Sequence, residues 1–395
     1  MPRKPSSPTV AASRKYAVLD VEGAKRIASA PLADWGLADR LSFGLPEVDD
    51  RYHVWRVPLL PREGGDKAGE IVIDAYTGQV DRRRTSRREV VLRRLAEDEP
   101  PAAGDADEAG ESPTIQPHLR NAILRGDSTK TLVDVPAGSV GLAFTSPPYF
   151  NARPDYSDYV TYEEYLLTIR KVIRQVHRVL SEGRFFVMNT APVLLRRASR
   201  SEASRRIAVP FDLHRIFVEE GFDFVDDIIW EKPEGAGWAT GRGRRFAADR
   251  NPLQYKAVPV TEYVLVYRKH TDRLIDWNIR AHPDPAAVAA SRIGDDYLRT
   301  NVWRIPPTSR KEHPAVFPVA LAQRVIEYYS FKGDVVLDPF AGIGTTGEAA
   351  ASLGRRFLLC EIDPQYVDVI RRDAPKWLGD AAPDVTCVNC PPITR

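Results

Sequence analysis

The residues best suited to chemistry form one short segment, 145–149, with the sequence Thr-Ser-Pro-Pro-Tyr. It follows the apolar run at 140–144, which predicts a buried parallel strand. The two prolines fix their φ angles and remove two backbone donors, so the segment is expected to be a stiff loop. Because open α/β sheets bind ligands at the carboxyl ends of their strands, we expect a hydroxyl, free carbonyl groups and an aromatic ring to surround one flat substrate there.

A second candidate site begins where another apolar strand, predicted over 334–338, ends. The sequence from Asp338 onward is Asp-Pro-Phe-Ala-Gly-Ile-Gly-Thr-Thr, and a helix is predicted over 347–353. A strand, a glycine-rich turn and a helix are the architecture of nucleotide-type cofactor sites. Gly342 and Gly344 permit a tight turn and a close approach of the backbone to a ligand.

An acidic residue, Glu361, ends the next predicted strand, which covers 356–360. An acid in this place suits hydrogen bonds to the two hydroxyls of a ribose. The turn lacks the Gly-Lys-Ser/Thr ending of a phosphate-binding loop, so we do not expect it to cradle phosphates.

The elements that must position these two sites alternate along the chain. Apolar residues spaced by three and four predict an amphipathic helix over 162–180, and Gly221 is expected to end a second helix. The predicted strands lie at 121–124, 140–144, 184–189, 222–230, 262–268, 334–338 and 356–360, and the predicted helices at 129–134, 162–180, 209–220 and 347–353. This alternation predicts an α/β fold with a mostly parallel sheet and helices on its faces.

The two motifs together resemble those of the amino-group DNA methyltransferases, which modify the exocyclic nitrogen of adenine or cytosine. Segment 145–149 is similar to their catalytic loop; Ser-Pro-Pro-Tyr is most typical of the cytosine-N4 enzymes, whereas adenine enzymes more often carry Asp or Asn first. The glycine-rich turn, with Glu-Ile-Asp after it, resembles their S-adenosylmethionine site. The resemblance covers roughly residues 121–375. Because the catalytic loop precedes the cofactor turn, the order resembles the circularly permuted beta group.

The resemblance implies a Rossmann-like S-adenosylmethionine-dependent methyltransferase fold with a mostly parallel, circularly permuted, seven-stranded sheet. In that fold, strands 140–144 and 334–338 lie side by side, so that both loops face one cleft. The implied activity is transfer of a methyl group from S-adenosyl-L-methionine to the N4 amino group of cytosine in double-stranded DNA, with the target base flipped out of the duplex. The enzyme would serve restriction–modification or act as an orphan modification enzyme.

The resemblance also implies roles for individual residues. Ser146 and the carbonyl of Pro147 are expected to accept the amino hydrogens of the base, and Tyr149 is expected to stack on it. Positioning is then the main catalytic effect, because the amino lone pair is delocalised into the ring. The implied catalytic residues are Ser146, Pro147, Pro148 and Tyr149, and the implied cofactor-binding residues are Asp127, His313, Phe317, Asp338, Pro339, Phe340, Gly342, Gly344, Thr345, Thr346 and Glu361.

Composition divides the chain into segments. Acid-, Pro-, Ala- and Gly-rich sequence at 96–116 is typical of a linker. Before it, a small antiparallel sheet between 54 and 80 and a helix near 23–30 are predicted. The expected organisation is a disordered tail at 1–14, a small α+β accessory domain at 15–95, the linker, a methyltransferase domain at 117–380 with target-recognition candidates at 234–258 and 270–305, and a C-terminal tail at 381–395.

The net charge of +2 does not itself indicate nucleic-acid binding, but the arginines are clustered. Those near the expected catalytic region are the DNA-binding candidates: Arg196, Arg197, Arg242, Arg244 and Arg245. The expected partner is double-stranded DNA; a cognate restriction endonuclease and the choice between monomer and homodimer stay open. No long apolar run or secretion signal is present, so we expect a cytoplasmic, nucleoid-associated protein without a membrane segment.

Two alternative functions are retained. The first is an adenine-N6 enzyme, which could carry the same loop; only product analysis separates it from a cytosine-N4 enzyme. The second is a non-catalytic DNA-binding protein, which would require a loop that has lost its motif residues, and both loops are intact. Methylation of cytosine carbon-5 is disfavoured because it needs a cysteine nucleophile, and Cys390 precedes a proline rather than following one. No metal is expected, since Cys387 and Cys390 lack the two further ligands of a structural zinc.

Overall fold

Two units make up the chain, residues 1–111 and residues 112–395. The structure is a computed structural model. It describes residues 16–50, 52–97, 119–150, 161–195, 205–233, 259–295, 297–308, 316–379 and 385–390. Within these residues, no helix is both long and apolar enough to cross a lipid bilayer.

The smaller unit is a four-stranded antiparallel sheet with helices. Its elements are α1 (Val21–Asp34), β1 (Leu41–Phe43), β2 (Glu47–Asp49), β3 (Val54–Pro61), β4 (Gly69–Asp74) and α2 (Arg88–Glu97). β3 is central: β1 pairs with its C-terminal half, β2 with its N-terminal half, and β4 with residues 54–59. Asp20 caps α1 by accepting from the backbone N–H of Gly23 at 2.7 Å.

This unit departs from the sequence prediction in three places. β1, β2 and α2 were not predicted, because three-residue strands show no alternation and the sequence of α2 is dominated by charged residues. The expected return strand at 80–82 is reduced to one bridge between Val80 and Ile73. The Asp81 carboxylate accepts from the backbone N–H groups of Arg83 and Arg84, which makes a turn there. The hydroxyls of Thr85 and Ser86 then accept from the backbone N–H groups of β4 in place of a continuous strand.

The larger unit carries the two motifs. Its strands are β5 (Ala122–Arg125), β6 (Val140–Thr145), β7 (Leu180–Thr190), β8 (Val193–Leu195), β9 (Arg205–Ile207), β10 (Phe222–Glu231), β11 (Thr261–Lys269), β12 (Val302–Arg304), β13 (Val335–Asp338), β14 (Arg356–Glu361) and β15 (Thr386–Val388). Its helices are α3 (Ser128–Thr131), α4 (Tyr162–Val179), α5 (Val209–Glu219), α6 (Trp277–Arg280), α7 (Pro285–Ala290), α8 (Val319–Tyr329), α9 (Thr345–Ser352) and α10 (Pro364–Leu378).

The main sheet of this unit has the order β12-β10-β11-β7-β6-β13-β14-β5-β15. Among its described strands, β11 alone runs antiparallel to its neighbours, so the prediction of a mostly parallel sheet is confirmed. The expected number of seven strands is wrong, since the main sheet has nine strands among the described residues. The additional strands β12 and β15 have three residues each, too few to show periodicity, and lie in stretches predicted as an insertion and a tail.

Alternate residues of the strands enter two separate cores. In β6, Ala143 faces the core that includes α4 and α5, whereas Leu142 and Phe144 face the core that includes α8, α9 and α10. Helix α4 begins at a capping box, in which Thr161 and Glu164 each bond the other's backbone N–H. The two faces of the sheet are therefore both covered, as the apolar sequence of β6 predicted.

The centre of the sheet is a topological switch point. From β6 the chain passes through α4, over one face, to β7; from the neighbouring β13 it passes through α9, over the other face, to β14. Open α/β sheets bind ligands in the crevice that such a reversal leaves at the carboxyl ends of the strands. The two sequence motifs follow β6 and β13, so both lie at this crevice.

Candidate active site

The proline loop (residues 145–149) and the glycine turn (residues 338–346) are joined by a buried hydrogen bond. Thr145, the last residue of β6, donates its hydroxyl to Asp338 Oδ1 at 2.6 Å. β6 and β13 are parallel neighbours, with Ala143 opposite Leu337, which confirms the expected adjacency of the two strands. The two segments therefore leave the same edge of the sheet side by side.

Asp338 organises the glycine turn. Its Oδ1 also accepts from the backbone N–H of Phe340 at 3.0 Å, and its Oδ2 accepts from the hydroxyl of Thr346 at 2.5 Å. Burial raises the pKa of Asp338 to about 6, although the hydrogen bonds from Thr145, Thr346 and Phe340 act in the opposite direction. The carboxylate is thus fixed in orientation, and its pKa is shifted towards neutrality.

Glu361, at the end of β14, is held by the backbone. Its Oε2 accepts from the N–H of Gly342 at 2.7 Å, and its Oε1 accepts from the N–H groups of Ile362 and Asp363 at 2.9 and 2.8 Å. Burial raises the pKa of Glu361 to about 7, against these hydrogen bonds, and the nearby charge of Asp338 raises it further. An ionised carboxylate has about four acceptor positions, so one stays available to a ligand hydroxyl.

The charge pattern of the glycine turn suits a cationic ligand rather than a phosphate. In the described part of the chain, neither Asp338 nor Glu361 has a lysine or arginine within ion-pair distance. The amide N–H groups of the turn are largely used inside the protein: those of Ala341 and Gly344 donate to backbone carbonyls at 2.9 and 2.8 Å, while those of Phe340 and Gly342 donate to the two acids. A ligand that carries positive charge and hydroxyl donors would satisfy this pair of buried acids.

Both glycines of the turn adopt a backbone conformation that favours glycine, and Gly344 is also required by packing. Both have positive φ, +54° at Gly342 and +87° at Gly344, where side chains are disfavoured. A Cβ on Gly344 would lie 2.6 Å from Cη2 of Trp377 in α10. The absence of a side chain at Gly344 is therefore required for helix packing, a role that the sequence did not predict.

The other expected cofactor residues are distributed around the same strand ends. Asp127 follows β5 and caps α3 by accepting from the backbone N–H of Thr129 at 2.9 Å. It is held beside Glu361, because the N–H of Gly126 donates to the Glu361 carbonyl at 2.8 Å. Phe317 contacts Phe144 of β6, with ring centroids 5.1 Å apart.

Three further residues complete the turn. Phe340 is half-buried and packs against the same core as Tyr149 of the proline loop. Pro339 and Thr345 are buried within the glycine turn. Among these three candidates, Phe340 alone leaves part of its side chain exposed beside the acids.

The proline loop presents a mixed surface. Pro147 is buried, whereas Ser146, Pro148 and Tyr149 are partly exposed. The Tyr149 hydroxyl donates to Glu262 Oε2 at 2.8 Å. Burial raises the pKa of the Tyr149 phenol well above its usual value, and the adjacent Glu262 carboxylate adds to the effect, so this hydroxyl stays protonated and acts as a donor.

Three polar residues beside the proline loop were missed by the sequence reasoning. Glu262 at the start of β11 also accepts from Asn189 Nδ2 at 2.8 Å, and it forms an ion pair with Lys232. Asn189 Nδ2 lies 3.4 Å from Ser146 Oγ. The available signals were a polar residue at one end of each strand: Asn189 near the end of β7, Lys232 after β10 and Glu262 at the start of β11. The sequence alone could not distinguish these residues from solvated strand ends.

Several predicted residues lie outside the described part of the chain. These are His313, the DNA-binding candidates Arg196, Arg197, Arg242, Arg244 and Arg245, and the whole candidate insertion 234–258. The second insertion, 270–305, is largely described. It contains α6, α7 and β12, and β12 extends the main sheet by pairing with β10.

The chain is similar to known DNA-modifying enzymes. A family model described as DNA methylase matches residues 140–372, more than half of the chain. The type II methyltransferase M.ScaI of Streptomyces caespitosus is 29% identical over 261 residues, which cover 62% of this chain and 79% of that protein. The DNA adenine methyltransferase YhdJ of Escherichia coli (strain K12) is 27% identical over 271 residues, which cover 65% of this chain and 84% of that protein.

A solved structure shares the fold and carries a cofactor. It is a Thermus thermophilus protein assigned as a DNA modification methylase, complexed with S-adenosyl-L-methionine. The two chains superpose with a TM-score of 0.52 at 29% sequence identity, over 65% of this chain and 96% of that chain. That cofactor has the cationic sulfonium and the ribose hydroxyls for which the acids of the glycine turn are suited.

Proposed function

Because this chain belongs to the DNA methylase family, we propose that it transfers a methyl group from S-adenosyl-L-methionine to the N4 amino group of cytosine in double-stranded DNA. DNA methylation and the cofactor follow from the family; the target base and the residue roles are the proposal. The observation that carries it is the Thr145–Asp338 hydrogen bond, which joins the proline loop, with its sequence Ser-Pro-Pro-Tyr at 146–149, to the acid-lined glycine turn.

Binding of the cofactor is assigned to the glycine turn and its surroundings. S-adenosyl-L-methionine supplies the methyl group when bound. Glu361 would accept from a ribose hydroxyl, Asp338 and Phe340 would lie against the methionine part, and Asp127 would lie near the adenine. The raised pKa values of Asp338 and Glu361 support this assignment, because two buried acids without a basic partner among the described residues gain from a nearby cation.

Positioning of the target base is assigned to the proline loop. The cytosine amino group is a poor nucleophile until its lone pair is localised and directed at the methyl group. Ser146 and the Pro147 carbonyl would accept the two amino hydrogens, and Tyr149 would stack on the flipped base. Stacking on an aromatic side chain contributes about 1–3 kcal/mol per base, which offsets part of the few kcal/mol that flipping costs.

Adenine N6 is the second candidate target. It is favoured by one specific finding, the 27% identity to a protein named as a DNA adenine methyltransferase. Cytosine N4 is favoured by Ser146, since Ser-Pro-Pro-Tyr resembles the loop most typical of the cytosine-N4 enzymes. The two reactions use the same cofactor and the same in-line geometry, so the nucleoside product distinguishes them.

The test is a product analysis with unmethylated duplex DNA prepared by amplification. The protein is incubated with this DNA and methyl-labelled S-adenosyl-L-methionine, the DNA is digested, and the nucleosides are identified by mass spectrometry. N4-methylcytosine is expected. N6-methyladenine as the labelled product would overturn the proposed target and establish the second candidate.

A further inference from the structure

The ends of three neighbouring strands bring three polar side chains together beside the proline loop. β7 and β10 run parallel to β6, whereas β11 lies between them and is antiparallel to both. The first residues of β11 therefore lie at the edge where β7 and β10 end. This places Glu262 of β11 beside Asn189 of β7 and Lys232, which follows β10.

We infer that Glu262 is a positioning residue for methyl transfer, which acts by fixing the hydroxyl of Tyr149 and the amide of Asn189 behind Ser146. This inference rests on the proposed function, because it requires Tyr149 and Ser146 to hold the target base. It extends that function by assigning a role to three residues that lie outside both sequence motifs.

The two oxygens of Glu262 have separate partners. Oε1 is paired with the Lys232 ammonium, whose Nζ also lies 4.5 Å from the centroid of the Trp230 ring. Oε2 accepts from both Tyr149 and Asn189, each at 2.8 Å. Because Lys232 restrains one oxygen, the other is directed at the two donors beside the proline loop.

The position of Tyr149 then depends on Glu262. A phenol ring with a free hydroxyl can shift and change its tilt. A hydrogen bond from the hydroxyl to a buried carboxylate restrains the hydroxyl end of the ring. Glu262 is only 9% exposed, so water competes weakly for this bond. The ring that would stack on the base is thus anchored at its hydroxyl by an acid from another strand.

The orientation of Asn189 depends on Glu262 in the same way. The amide group directs its nitrogen at the carboxylate, since an amide oxygen in that place would face a negative charge. The same nitrogen approaches Ser146 Oγ, so the carboxylate determines which amide atom the serine meets. Asn189 Oδ1 is buried and has no hydrogen-bond partner among the described residues, so other contacts of the amide oxygen do not account for its orientation.

The test is a double-mutant cycle on the full chain with Glu262→Gln, Tyr149→Phe and the combined variant. Tyr149→Phe removes one oxygen and keeps the ring, so it tests the bond even where Glu262→Gln folds poorly. The matched control is Glu182→Gln, which neutralises a largely buried acid at the opposite end of β7, where its Oε1 accepts from Thr271 at 2.7 Å. Measured quantities are kcat and KM for amplified duplex DNA, the Kd for S-adenosylhomocysteine by calorimetry, and the thermal unfolding temperature.

The expected result is a fall in kcat of at least tenfold in both single variants, with KM and Kd within threefold of the wild type. The combined variant should be no slower than the worse single variant, because both changes remove the same interaction. Glu182→Gln should keep kcat within twofold. A merely structural Glu262 would lower thermal stability without this pattern.

Two results would overturn the inference: Tyr149→Phe with kcat within twofold of the wild type, or effects of the two single variants that multiply in the combined one. The rates count all methyl groups transferred to DNA, whichever base receives them. The inference is thus judged on rate ratios, and the proposed cytosine target is judged separately by the nucleoside product.

Discussion

The two halves of the crevice hold their acids in different ways. Within the glycine turn, Asp338 is bonded by Phe340 and Thr346 and Glu361 by Gly342, all within 19 positions along the chain. The distant exception is Thr145 of the proline loop, 193 positions from Asp338. Beside the proline loop, Glu262 is bonded by Asn189 and Tyr149, which are 73 and 113 positions away. The donors differ as well: mostly backbone N–H groups in the first case, side chains in the second.

This difference predicts that substitutions in the two regions change different quantities. Backbone donors persist in most substitutions, so the glycine turn should keep its shape and its variants should change cofactor affinity. Side-chain donors are lost with the residue, so variants beside the proline loop should change turnover instead. The following substitutions can break this comparison or sharpen it.

Tyr149→Ala should have the largest effect, a fall in kcat of at least a hundredfold. It removes the stacking surface, worth about 1–3 kcal/mol per base, and also leaves the buried Glu262 without one of its donors. Single-turnover methyl transfer to duplex DNA measures the rate, and calorimetry with S-adenosylhomocysteine should give an unchanged Kd. Phe211→Ala, which truncates an exposed ring on α5, is the control; substantial activity in Tyr149→Ala would contradict the assigned role.

Phe340→Ala should weaken cofactor binding by about tenfold or more. The substitution removes the half-buried ring that would contact the methionine part of the cofactor. Burial of an aromatic side chain contributes roughly 1.5–3 kcal/mol to the free energy of binding. At saturating cofactor, kcat should fall only a few-fold. The control is Phe331→Ala, a half-buried ring that precedes β13 at its opposite end. An unchanged Kd by calorimetry would argue against the placement of the cofactor.

The same comparison explains what the sequence could predict. Asp338, Gly342 and Glu361 were identified because their partners are nearby in the chain and form a strand–turn–helix signature. Glu262 was not, since its partners depend on the antiparallel direction of β11. A charged residue at the start of an apolar strand gives no sign of that direction.

Close packing and short strands were equally hidden. The requirement for glycine at position 344 comes from Trp377, on a helix that follows the next strand. The short strands β12 and β15 are specified by pairing with β10 and β5, and three residues carry no periodicity. Patterns of neighbouring residues thus predicted the central strands of the sheet and the glycine turn. The edge strands of the sheet, and the hydrogen bonds of Glu262 beside the proline loop, depend on residues that are far apart in the chain.

Cofactor binding should depend on pH through Glu361, whose pKa is raised to about 7 by burial. A protonated Glu361 accepts poorly from ribose hydroxyls, so the Kd should fall as pH rises from 6 to 8, by at most about tenfold per pH unit. In the unliganded protein the sign is opposite: the native acid binds its proton more tightly than the unfolded one, so stability decreases as pH rises from about 4.5 to 7. Calorimetry and thermal unfolding across this range measure the two trends.

Glu361→Gln is the control for this pH dependence. It should bind the cofactor more weakly, with a Kd that varies less between pH 6 and 8, because Asp338, with a pKa raised to about 6, would be the main titrating acid left in the turn. An equally steep dependence in this variant would show that another group is responsible.

Thr145→Val should have the smallest effect, and it tests the bond that joins the two halves. Valine has nearly the shape of threonine but lacks the hydroxyl that donates to Asp338 at 2.6 Å. Loss of a hydrogen bond to a buried charged group costs about 1.5–3 kcal/mol of stability. Because the bond links the proline loop to the glycine turn, both kcat and cofactor Kd should change by a few-fold.

The control is Thr346→Val, which removes the other hydroxyl that donates to Asp338. This hydroxyl lies within the glycine turn, so the variant should weaken cofactor binding while kcat stays within twofold. If both variants changed only the Kd, the Thr145–Asp338 bond would affect cofactor binding alone. The proline loop and the glycine turn would then be energetically independent.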